Sequence, residues 1–302
     1  MSHILRKFIY FINPISGTGA KNIVVESIQK RTAEKNIPFE ILDTNAAGDY
    51  SYLLQKIEAE NITDIIVCGG DGTVNKIAAA LQNVNVNIGI IPMGSGNGLA
   101  LAAGIPANTE KALDIIFEGK AFYTDGFFIN NEFSCMLCGL GFDAQVAHDF
   151  AKQKKRGLAT YVKQTLKNFF SAKPYSFVIR LQDLELKRDA FFISIANSNQ
   201  FGNNVTIAPK ASICDGLLDV VIVNKMSKLK LLFALGKQIS LGEITNTRKK
   251  FRSKDIFYFQ TKKLQIDNLQ YAPLHIDGDP ASTAARFDIE IAENAFKLLQ
   301  PG

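Results

Sequence analysis

Over its first 120 residues, the chain alternates short apolar runs with longer amphipathic stretches. The apolar runs predict buried strands at 8–13, 38–43, 64–68 and 88–91. The other stretches predict helices from the loop at 14–19 to about residue 35, and at 49–60, 73–82, 97–103 and 109–118. This alternation is typical of parallel βαβ units, in which helices cover both faces of the sheet.

After about residue 124, the pattern changes to hairpins and regular alternation. Asn130 and Asn131 separate two apolar runs, as in a tight hairpin. Further strands are predicted at 175–182, 190–196, 217–223, 256–260, 263–267, 273–277 and 286–292. Helical stretches are predicted at 143–170 and 227–240. The fold class is therefore α/β in the first part and mostly antiparallel β in the second, with a boundary near Asp125.

Composition and charge refine this picture. With 302 residues, 47% of them hydrophobic, the chain can bury about three quarters of its unfolded surface, which excludes a disordered tail or a disulfide-stapled miniprotein. Residues 1–125 hold 10 Lys and Arg against 13 Asp and Glu, a balance of −3, and residues 126–302 hold 24 against 16, a balance of +8. Two regions with different partners are expected.

The cysteines and the apolar runs indicate a reduced, cytoplasmic setting. Cys135 and Cys138 form a C-x-x-C within an apolar run, with no second pair nearby, so buried thiols are expected rather than zinc or redox chemistry. The apolar run at 8–12 is too short for a signal peptide. Because no stretch reaches the roughly 18 apolar residues of a spanning helix, any membrane contact is expected to be peripheral.

A glycine-rich motif follows the third predicted strand and opens a helix. Its residues are Gly69, Gly70, Asp71, Gly72, Thr73, Val74 and Asn75. Glycines let the backbone turn sharply and approach a ligand, and a helix N-terminus favours phosphate. A carboxylate at the phosphate position would repel phosphate directly, so Asp71 suggests an arrangement through Mg²⁺. A simple tight turn with Thr73 as the helix cap is the alternative.

Similar residues follow the other predicted strands. Asn13, Pro14, Ile15, Ser16 and Gly17 follow the first strand, Thr44 ends the second, and Ser95 and Asn97 lie in the glycine turn after the fourth. In a parallel sheet these ends converge, which favours a nucleotide cradle over independent turns. The chain has no P-loop signature, and Ser95 is not a nucleophile elbow, because Met93 stands two residues before it where that motif has glycine.

With these motifs, the chain resembles the diacylglycerol kinase catalytic-domain family, which includes bacterial lipid kinases and the sphingosine kinases. The resemblance rests on N-P-x-S-G at 13–17, G-G-D-G-T-x-N at 69–75, G-S-G-N at 94–97, Asp125, C-D-G-L-L-D at 214–219 and I-D-G-D at 276–279. It implies an ATP-binding α/β domain over 1–125 and a β-sandwich domain over 126–289 for the lipid substrate. The chain end at 290–302 is expected to return to the first domain.

The resemblance also implies an activity and roles for individual residues. The family transfers the γ-phosphate of ATP to a lipid hydroxyl, here of a diacylglycerol or a sphingoid-type lipid. The loop residues named above would line the nucleotide, with Asp71 bearing on Mg²⁺-ATP and Asp279 as the general base. Asp279 stands where many relatives have Glu. Lys76 and Gly98 also depart from the residues common at their positions.

A second Mg²⁺, structural in role, is implied as well. The carboxylate of Asp215 and the backbone carbonyls of Ser212 and Leu217 would hold it, and Asp125 would be linked to that site or face the lipid head. Asp-Gly-Leu-Leu is equally the pattern of a β-turn that enters a strand, so Asp215 as a turn residue remains the alternative.

Two basic stretches suggest a surface for anionic lipid. Between Asp149 and Asp183 there is no acidic residue, but there are eight basic ones: Lys152, Lys154, Lys155, Arg156, Lys163, Lys167, Lys173 and Arg180. A second acid-free run lies at 248–254. The first includes an amphipathic helix from Leu158, with apolar positions at Tyr161, Val162, Leu166, Phe169 and Phe170. A peripheral contact with an anionic membrane and a helix packed on its own domain are the two interpretations.

Two other functions are compatible with parts of the sequence. An NAD kinase shares G-G-D-G-T, but its T-P-T-G-S-T-A-Y segment is absent from this chain. A non-catalytic nucleotide- or lipid-binding module is the other alternative. No nucleic-acid module accompanies the basic residues, so no nucleic-acid partner is expected. The sequence is compatible with a homodimer but locates no interface. His3, His148 and His275 show no metal-ligand spacing and are expected to have structural roles.

Overall fold

A computed structural model describes residues 5–13, 21–45, 47–153, 158–182, 184–200, 206, 208–227 and 255–302. The chain forms two compact units. The first comprises residues 1–124 and 294–302, and the second comprises residues 125–293.

The first unit is an α/β structure with a parallel sheet. Its strands are β1 (Phe8–Ile12), β2 (Phe39–Asp43), β3 (Asp64–Gly69) and β4 (Asn87–Pro92). Its helices are α1 (Lys21–Glu34), α2 (Leu53–Glu60), α3 (Asp71–Ala80), α4 (Gly98–Ala102) and α5 (Thr109–Glu118). The strands pair in parallel in the order β4-β3-β1-β2, which confirms the predicted βαβ pattern. At the carboxyl end of the chain, Lys297 and Leu298 add a parallel pairing to β4.

The core of this unit follows from the apolar periodicity. Every residue of β1 and β3 is buried, as expected for strands covered on both faces. Helix α1 buries Val24, Ile28 and Thr32, which recur every four residues on one face. The Thr32 hydroxyl lies 2.8 Å from the buried hydroxyl of Tyr10. A polar residue is tolerated in this core because the hydrogen bond satisfies both groups.

A buried ion pair ties together the beginning of this sheet. Arg6 donates to both carboxylate oxygens of Asp64, at 2.6 and 3.1 Å, and Asp64 is fully buried. Thr63 Oγ1 and Asn87 Nδ2 donate to the same carboxylate, at 2.6 and 3.0 Å. Arg6 also donates to the last carbonyls of α5. One carboxylate therefore connects β3, β4 and the segment that leads into β1.

The second unit is mostly antiparallel. Its strands are β5 (Lys120–Ile129, which begins in the first unit), β6 (Glu132–Ser134), β7 (Leu137–Gly141), β8 (Tyr175–Leu181), β9 (Leu184–Ala196), β10 (Leu218–Asn224), β11 (Ile256–Thr261), β12 (Lys263–Asn268), β13 (Leu274–Ile276), β14 (Asp279–Ala281) and β15 (Arg286–Gln300, which ends in the first unit). Its helices are α6 (Phe142–Ala151) and α7 (Leu158–Ser171). The pairings β14-β13-β7-β9-β8-β12-β15 are all antiparallel, and β10 pairs with β9 and β11. This confirms the predicted fold class.

Several predicted boundaries were wrong. The helical stretch at 143–170 is divided into α6 and α7, and Lys152 and Gln153 lie outside both helices. The strand at 273–277 ends at Ile276, because Asp277 and Gly278 have φ angles of 49° and 84° and form a turn into β14, a strand that was not predicted. The strand at 286–292 continues to Gln300. The predicted helix at 227–240 falls almost entirely outside the described residues.

We predict that Asp64→Ala destabilises the first unit by about 3–5 kcal/mol, because the change leaves a partly buried guanidinium and two further part-buried donors without their acceptor. Asp43→Ala provides the control, since Asp43 forms an exposed 3.5 Å pair with Lys21 and its loss should cost at most about 1 kcal/mol. Urea unfolding followed by circular dichroism measures both changes. Equal shifts in the two variants would contradict the role assigned to Asp64.

Candidate functional site

The carboxyl ends of the parallel strands in the first unit meet at one edge of the sheet. The Asn13 N–H donates to the carbonyl of Cys68 at 3.1 Å, and the Thr44 N–H donates to the last carbonyl of β1 at 3.1 Å. The Met93 N–H donates to the last carbonyl of β3 at 3.0 Å. The structure thus brings together the ends of all four strands. Pro14, Ile15, Ser16 and Gly17 of the first loop lie outside the described residues.

Two of the glycine motifs are in direct backbone contact. A Cβ built on Gly94 would lie 2.5 Å from the Cα of Gly70, and one built on Gly70 would lie 3.1 Å from the Cα of Gly94. A separation under 3 Å leaves no room for a side chain at Gly94, and a Cβ at Gly70 would require the neighbouring backbone to shift by a few tenths of an ångström. The glycines of G-G-D-G-T and G-S-G-N therefore have a shared steric role that the sequence motifs alone do not show.

Asn97 holds the second glycine loop in shape. It adopts the left-handed conformation, with φ 54° and ψ 43°, immediately before α4. Its side chain accepts from the Gly94 N–H and donates to the Gly94 carbonyl, both at 2.9 Å. Ser95, at the tip of this loop, is exposed. Of the two residues of this motif that were predicted to line the nucleotide, Asn97 therefore has a structural role and Ser95 is exposed.

Asp71 is the first residue of α3, where a negative charge is stabilised by the helix dipole. Its Oδ1 accepts a 3.3 Å hydrogen bond from the Leu99 N–H in α4, so the carboxylate connects the two glycine motifs. Asn75 follows one helical turn later on the same side of α3. Val74 does not share this face, because its side chain is 2% exposed and packs in the core.

Two further motif residues complete this side of the first unit. The side-chain nitrogen Nδ2 of Asn13 donates a 3.4 Å hydrogen bond to Thr73 Oγ1, and this contact links the ends of the first and third strands. Lys76 is exposed and lies over the backbone of Gly48. The cluster therefore offers hydroxyl, amide and carboxylate oxygens together with backbone N–H groups, which is chemistry suited to a phosphate chain with a divalent cation.

In the second unit, Asp125 is tied to the turn that carries Asp215. Asp125 is 3% exposed, its backbone N–H donates to the Ile213 carbonyl at 2.7 Å, and its Oδ2 accepts from the Gly216 N–H at 2.8 Å. Asp215 is exposed, and its Oδ1 accepts from the Leu217 N–H at 3.1 Å, as in an Asx turn. The turn geometry weighed for Asp215 is therefore present.

The charges at this turn are suited to a cation. Partial desolvation raises the pKa of Asp215, the Leu217 hydrogen bond opposes this shift, and the nearby charge of Asp125 adds to it. A bound cation would relieve that repulsion. Among the described residues, no three His, Cys, Asp or Glu side chains come together as a metal centre. Any ion at Asp215 would therefore take its other ligands from backbone carbonyls, such as those of Ser212 and Leu217, and from water.

Asn197 is a structural element of this site that the motif analysis missed. It is fully buried, and its Nδ2 donates to the carbonyls of Asp125 and Cys135, at 2.9 and 3.1 Å. It thus fixes the backbone of β5 beside the β6–β7 connection. The signal was available, since a run of polar residues at 197–200 follows directly on the buried strand β9.

Asp279 and Asp277 have opposite environments. Asp279 is exposed and is the first residue of β14. Asp277 was predicted as the last residue of a strand at 273–277, but it lies in the turn and its carboxylate is buried. It accepts hydrogen bonds from Ser134 Oγ at 2.7 Å and from the N–H groups of Met136 and Leu137 at 3.1 and 2.9 Å. Asp277 therefore anchors the turn, and Asp279 is presented to solvent.

Helix α7 exposes part of its apolar face and buries another part, including Phe169. Val162 and Leu166 are 44% and 49% exposed, and Lys163 and Lys167 are exposed on the same stripe. The buried positions include the polar residues Gln164 and Asn168. Lys154, Lys155 and Arg156 and the second basic run at 248–254 lie outside the described residues. Within the described parts of the chain, no helix has the length and apolar character needed to cross a bilayer.

Comparisons with known proteins define the family. Residues 7–126 match the model of the diacylglycerol kinase catalytic domain, and residues 137–300 match that of the YegS C-terminal NAD kinase beta sandwich-like domain. A protein of Shewanella frigidimarina named probable lipid kinase YegS-like is 24% identical over 95% of this chain and 92% of its own length. One of the same name from Serratia proteamaculans is 28% identical over 95% and 92%.

Solved structures agree on the fold. A crystal structure described as a diacylglycerol kinase from Bacillus anthracis str. Sterne superimposes with a TM-score of 0.73 at 20% identity, covering 98% of this chain and 97% of that one. Another structure from the same organism gives a TM-score of 0.82 at 22% identity, with the same coverage.

The two domains together define a lipid kinase, a phosphotransferase with an alcohol group as acceptor. More specifically, the chain belongs to the YegS-like family, in which the diacylglycerol kinase catalytic domain precedes the YegS-type sandwich-like domain.

We predict that Gly94→Ala weakens ATP binding more than Gly70→Ala does. The added methyl group would lie 2.5 Å from backbone in the first variant and 3.1 Å in the second, so the first must push the loops apart further than the second. An overpacking cost of about 1–3 kcal/mol corresponds to a loss of tenfold or more in affinity. Calorimetric titration with Mg²⁺-ATP measures it. Wild-type affinity in Gly94→Ala would contradict a nucleotide site at this contact.

Proposed function

We propose that this protein transfers the γ-phosphate of ATP to the hydroxyl group of a lipid, a diacylglycerol or a sphingoid-type lipid. The observation that carries the proposal is the backbone contact between Gly70 and Gly94, which places Asp71 and the Asn97 loop at the sheet edge where the ends of β1 and β2 also lie. In an open α/β sheet, this edge is where phosphates bind.

The nucleotide is assigned to the first unit. The glycine loops, Asn13, Thr44 and Ser95 would line it, and Asp71 would bear on the magnesium complex of the phosphates. Mg²⁺ would supply charge neutralisation of the triphosphate, which phosphoryl transfer requires in addition to positioning. The residues at this edge supply the oxygen ligands and backbone N–H groups that such a complex needs.

The general base is assigned to Asp279 in the second unit. Its exposure makes it accessible to a substrate hydroxyl, while the buried neighbour Asp277 fixes the turn on which it stands. An aspartate reaches about one methylene less far than a glutamate, yet its carboxylate can accept a hydroxyl proton in the same way. A second Mg²⁺ is assigned to Asp215 and the carbonyls of Ser212 and Leu217, beside Asp125.

We predict that Asp71→Asn and Asp279→Asn each lower lipid phosphorylation at least about 100-fold, because one removes the charge that bears on Mg²⁺-ATP and the other removes the proton acceptor. Asp279→Glu should retain much of the turnover, since the carboxylate is kept. The assay incubates each protein with labelled ATP and a panel of diacylglycerols, sphingoid bases and NAD.

Asp288→Asn is the matched control for these variants. Asp288 is an exposed aspartate of the second unit that accepts a hydrogen bond from Gln265 and is not among the predicted site residues. Its variant should phosphorylate lipid like the wild type. Near-normal turnover in Asp71→Asn or Asp279→Asn would disprove the roles assigned to these two aspartates, and transfer to NAD alone would identify an NAD kinase instead.

The exposed face of α7 supports a peripheral contact with an anionic membrane. Lys163 and Lys167 flank the exposed side chains of Val162 and Leu166, so one stripe combines apolar and basic character. A helix that only packs on its own domain would expose a polar face, whereas the buried side of α7 carries Gln164 and Asn168. A membrane surface accommodates both kinds of exposed residue, and each lysine near it contributes up to about 1 kcal/mol.

We predict that Lys163→Glu/Lys167→Glu reduces sedimentation with phosphatidylserine-containing vesicles at low salt, because the double change reverses two charges on the exposed stripe. Val162→Ser/Leu166→Ser should reduce binding at both low and high salt, since its contribution is apolar. Lys187→Glu/Lys225→Glu changes charge equally at exposed positions outside α7 and serves as the control. Binding that is the same for all four proteins would rule out α7 as the contact surface.

A further inference from the structure

His275 lies directly beside the turn that presents Asp279, although its position in the sequence suggests only a structural role. It is the central residue of β13 and is fully buried. Asp143, in the first turn of α6, is 6% exposed and faces it. Neither residue belongs to the nucleotide cradle, the Asp215 turn or the α7 surface.

The imidazole of His275 contacts the turn on one side and a carboxylate on the other. Its Nδ1 accepts a 3.3 Å hydrogen bond from the Gly278 N–H. Its Nε2 lies 3.5 Å from Oδ2 of Asp143. This distance is too long for a strong hydrogen bond, but it places the ring nitrogen close to a buried carboxylate oxygen. Because Nδ1 must be unprotonated to accept, a neutral ring carries its proton on Nε2, the nitrogen that lies nearer to Asp143.

Asp143 is itself held in place. Its Oδ1 accepts from the Ala144 N–H at 2.8 Å, and its Oδ2 accepts no hydrogen bond from the described residues. A buried carboxylate oxygen without a donor is costly, so the neighbouring imidazole N–H is its available source of stabilisation. The carboxylate thereby orients the ring, in the way that acidic residues orient histidines elsewhere.

The backbone leaves space for this pair. A Cβ on Gly139 in β7 would lie 2.1 Å from Asp143 Oδ2 and 2.5 Å from His275 Nε2. The two side chains therefore occupy the volume that any other residue at 139 would fill. The backbone of Gly139 lies outside the left-handed region that favours glycine, so the contact, rather than backbone conformation, explains its presence.

The turn between His275 and Asp279 needs such an anchor. Asp277 and Gly278 both have positive φ, which matches a two-residue type I′ hairpin turn, and Asp279 follows at once as the partner of Ile276. The Asp277 carboxylate ties one side of the turn to the β6–β7 connection. His275 ties the other side through the Gly278 N–H.

We propose that Asp143 and His275 are positioning residues that fix the Asp277-Gly278 turn and thereby place the Asp279 carboxylate for proton transfer. This inference rests on the function proposed above. His275 takes no part in the proton transfer itself, because it contacts the Gly278 N–H and not the substrate. Displacement of a catalytic group by about 1 Å can cost up to about 100-fold in rate, so a loosened turn should lower kcat.

Two substitutions of His275 separate its two contacts. In His275→Asn, the side-chain amide oxygen takes the place of Nδ1, because both atoms are bonded to Cγ. It can therefore still accept a hydrogen bond from the Gly278 N–H. In His275→Gln, the terminal amide replaces Nε2 and keeps the group that faces Asp143, but the acceptor at the Nδ1 position is lost. We expect His275→Asn to keep most of kcat and His275→Gln to lose about tenfold or more, with an unchanged KM for ATP in both.

Two further variants complete the series. Asp143→Asn should lower kcat by an intermediate factor, since the ring keeps its bond to Gly278 but loses its orienting charge. His148→Gln is the matched control. His148 Nε2 lies 2.8 Å from the Leu274 carbonyl, a bond that a glutamine amide can replace, and it does not contact the turn. Its kcat should equal that of the wild type.

Amide hydrogen exchange at Gly278 gives a readout that does not depend on activity. Exchange should be about tenfold or more faster in His275→Gln than in the wild type, and close to the wild type in His275→Asn and His148→Gln. If the wild-type protein phosphorylates no lipid, the proposed function fails, and the exchange rates alone decide whether His275 holds the turn. Wild-type kcat or unchanged Gly278 exchange in His275→Gln overturns the proposal, as does an equal loss of kcat in His148→Gln.

Discussion

A buried carboxylate must be given hydrogen-bond donors, and this requirement organises both units of the protein. Asp64 and Asp125 are almost completely buried, and Asp277 is only 9% exposed. Each collects donors from segments distant in sequence: Asp64 from Arg6 and Asn87, Asp125 from Gly216, and Asp277 from the 134–137 connection. Leaving such a charge unpaired would cost several kcal/mol, so the segments that supply the donors are constrained to meet.

The carboxylates with proposed catalytic or metal-binding roles are not these buried ones but exposed carboxylates close to them. Asp279 is exposed two residues after Asp277, and Asp215 is exposed on a turn whose Gly216 N–H is bound by Asp125. In each pair, one carboxylate holds the backbone and the other is presented to solvent. This arrangement fixes the backbone and leaves the second carboxylate accessible. Both are needed, because a reacting carboxylate must reach its substrate while its backbone stays in place.

Much of the fold could be predicted from the sequence because its signals are local. Apolar runs such as 65–68 and the regular apolar spacing along one face of α1 and α5 define strands and helices without knowledge of their partners. The C-x-x-C pair was also predicted as buried thiols, and Cys135 and Cys138 are buried and free. The errors arose where long-range contacts override local patterns. Asp277 ends its strand because its carboxylate is satisfied by the 134–137 connection, and no periodicity in residues 273–277 reveals this.

Helix α7 shows a similar limit. Its apolar positions left two interpretations open, a membrane contact and packing on its own domain; the structure covers Gln164, Asn168 and Phe169 and leaves Val162 and Leu166 exposed, while α7 packs on α6. Periodicity measures how residues are spaced on a helix and cannot tell which side meets a partner.

The sequence by itself determined the order of elements in the first unit, the fold class and the motifs that identify the family, because these depend on composition and spacing along the chain. Only the tertiary structure decided that Gly70 and Gly94 touch, that Asn197 supports Asp125, and that Asp143 faces His275, which in turn contacts the Asp277-Gly278 turn. Those pairings join residues 24 to 132 positions apart, and their geometry is set by the packing of whole elements rather than by neighbours in the chain.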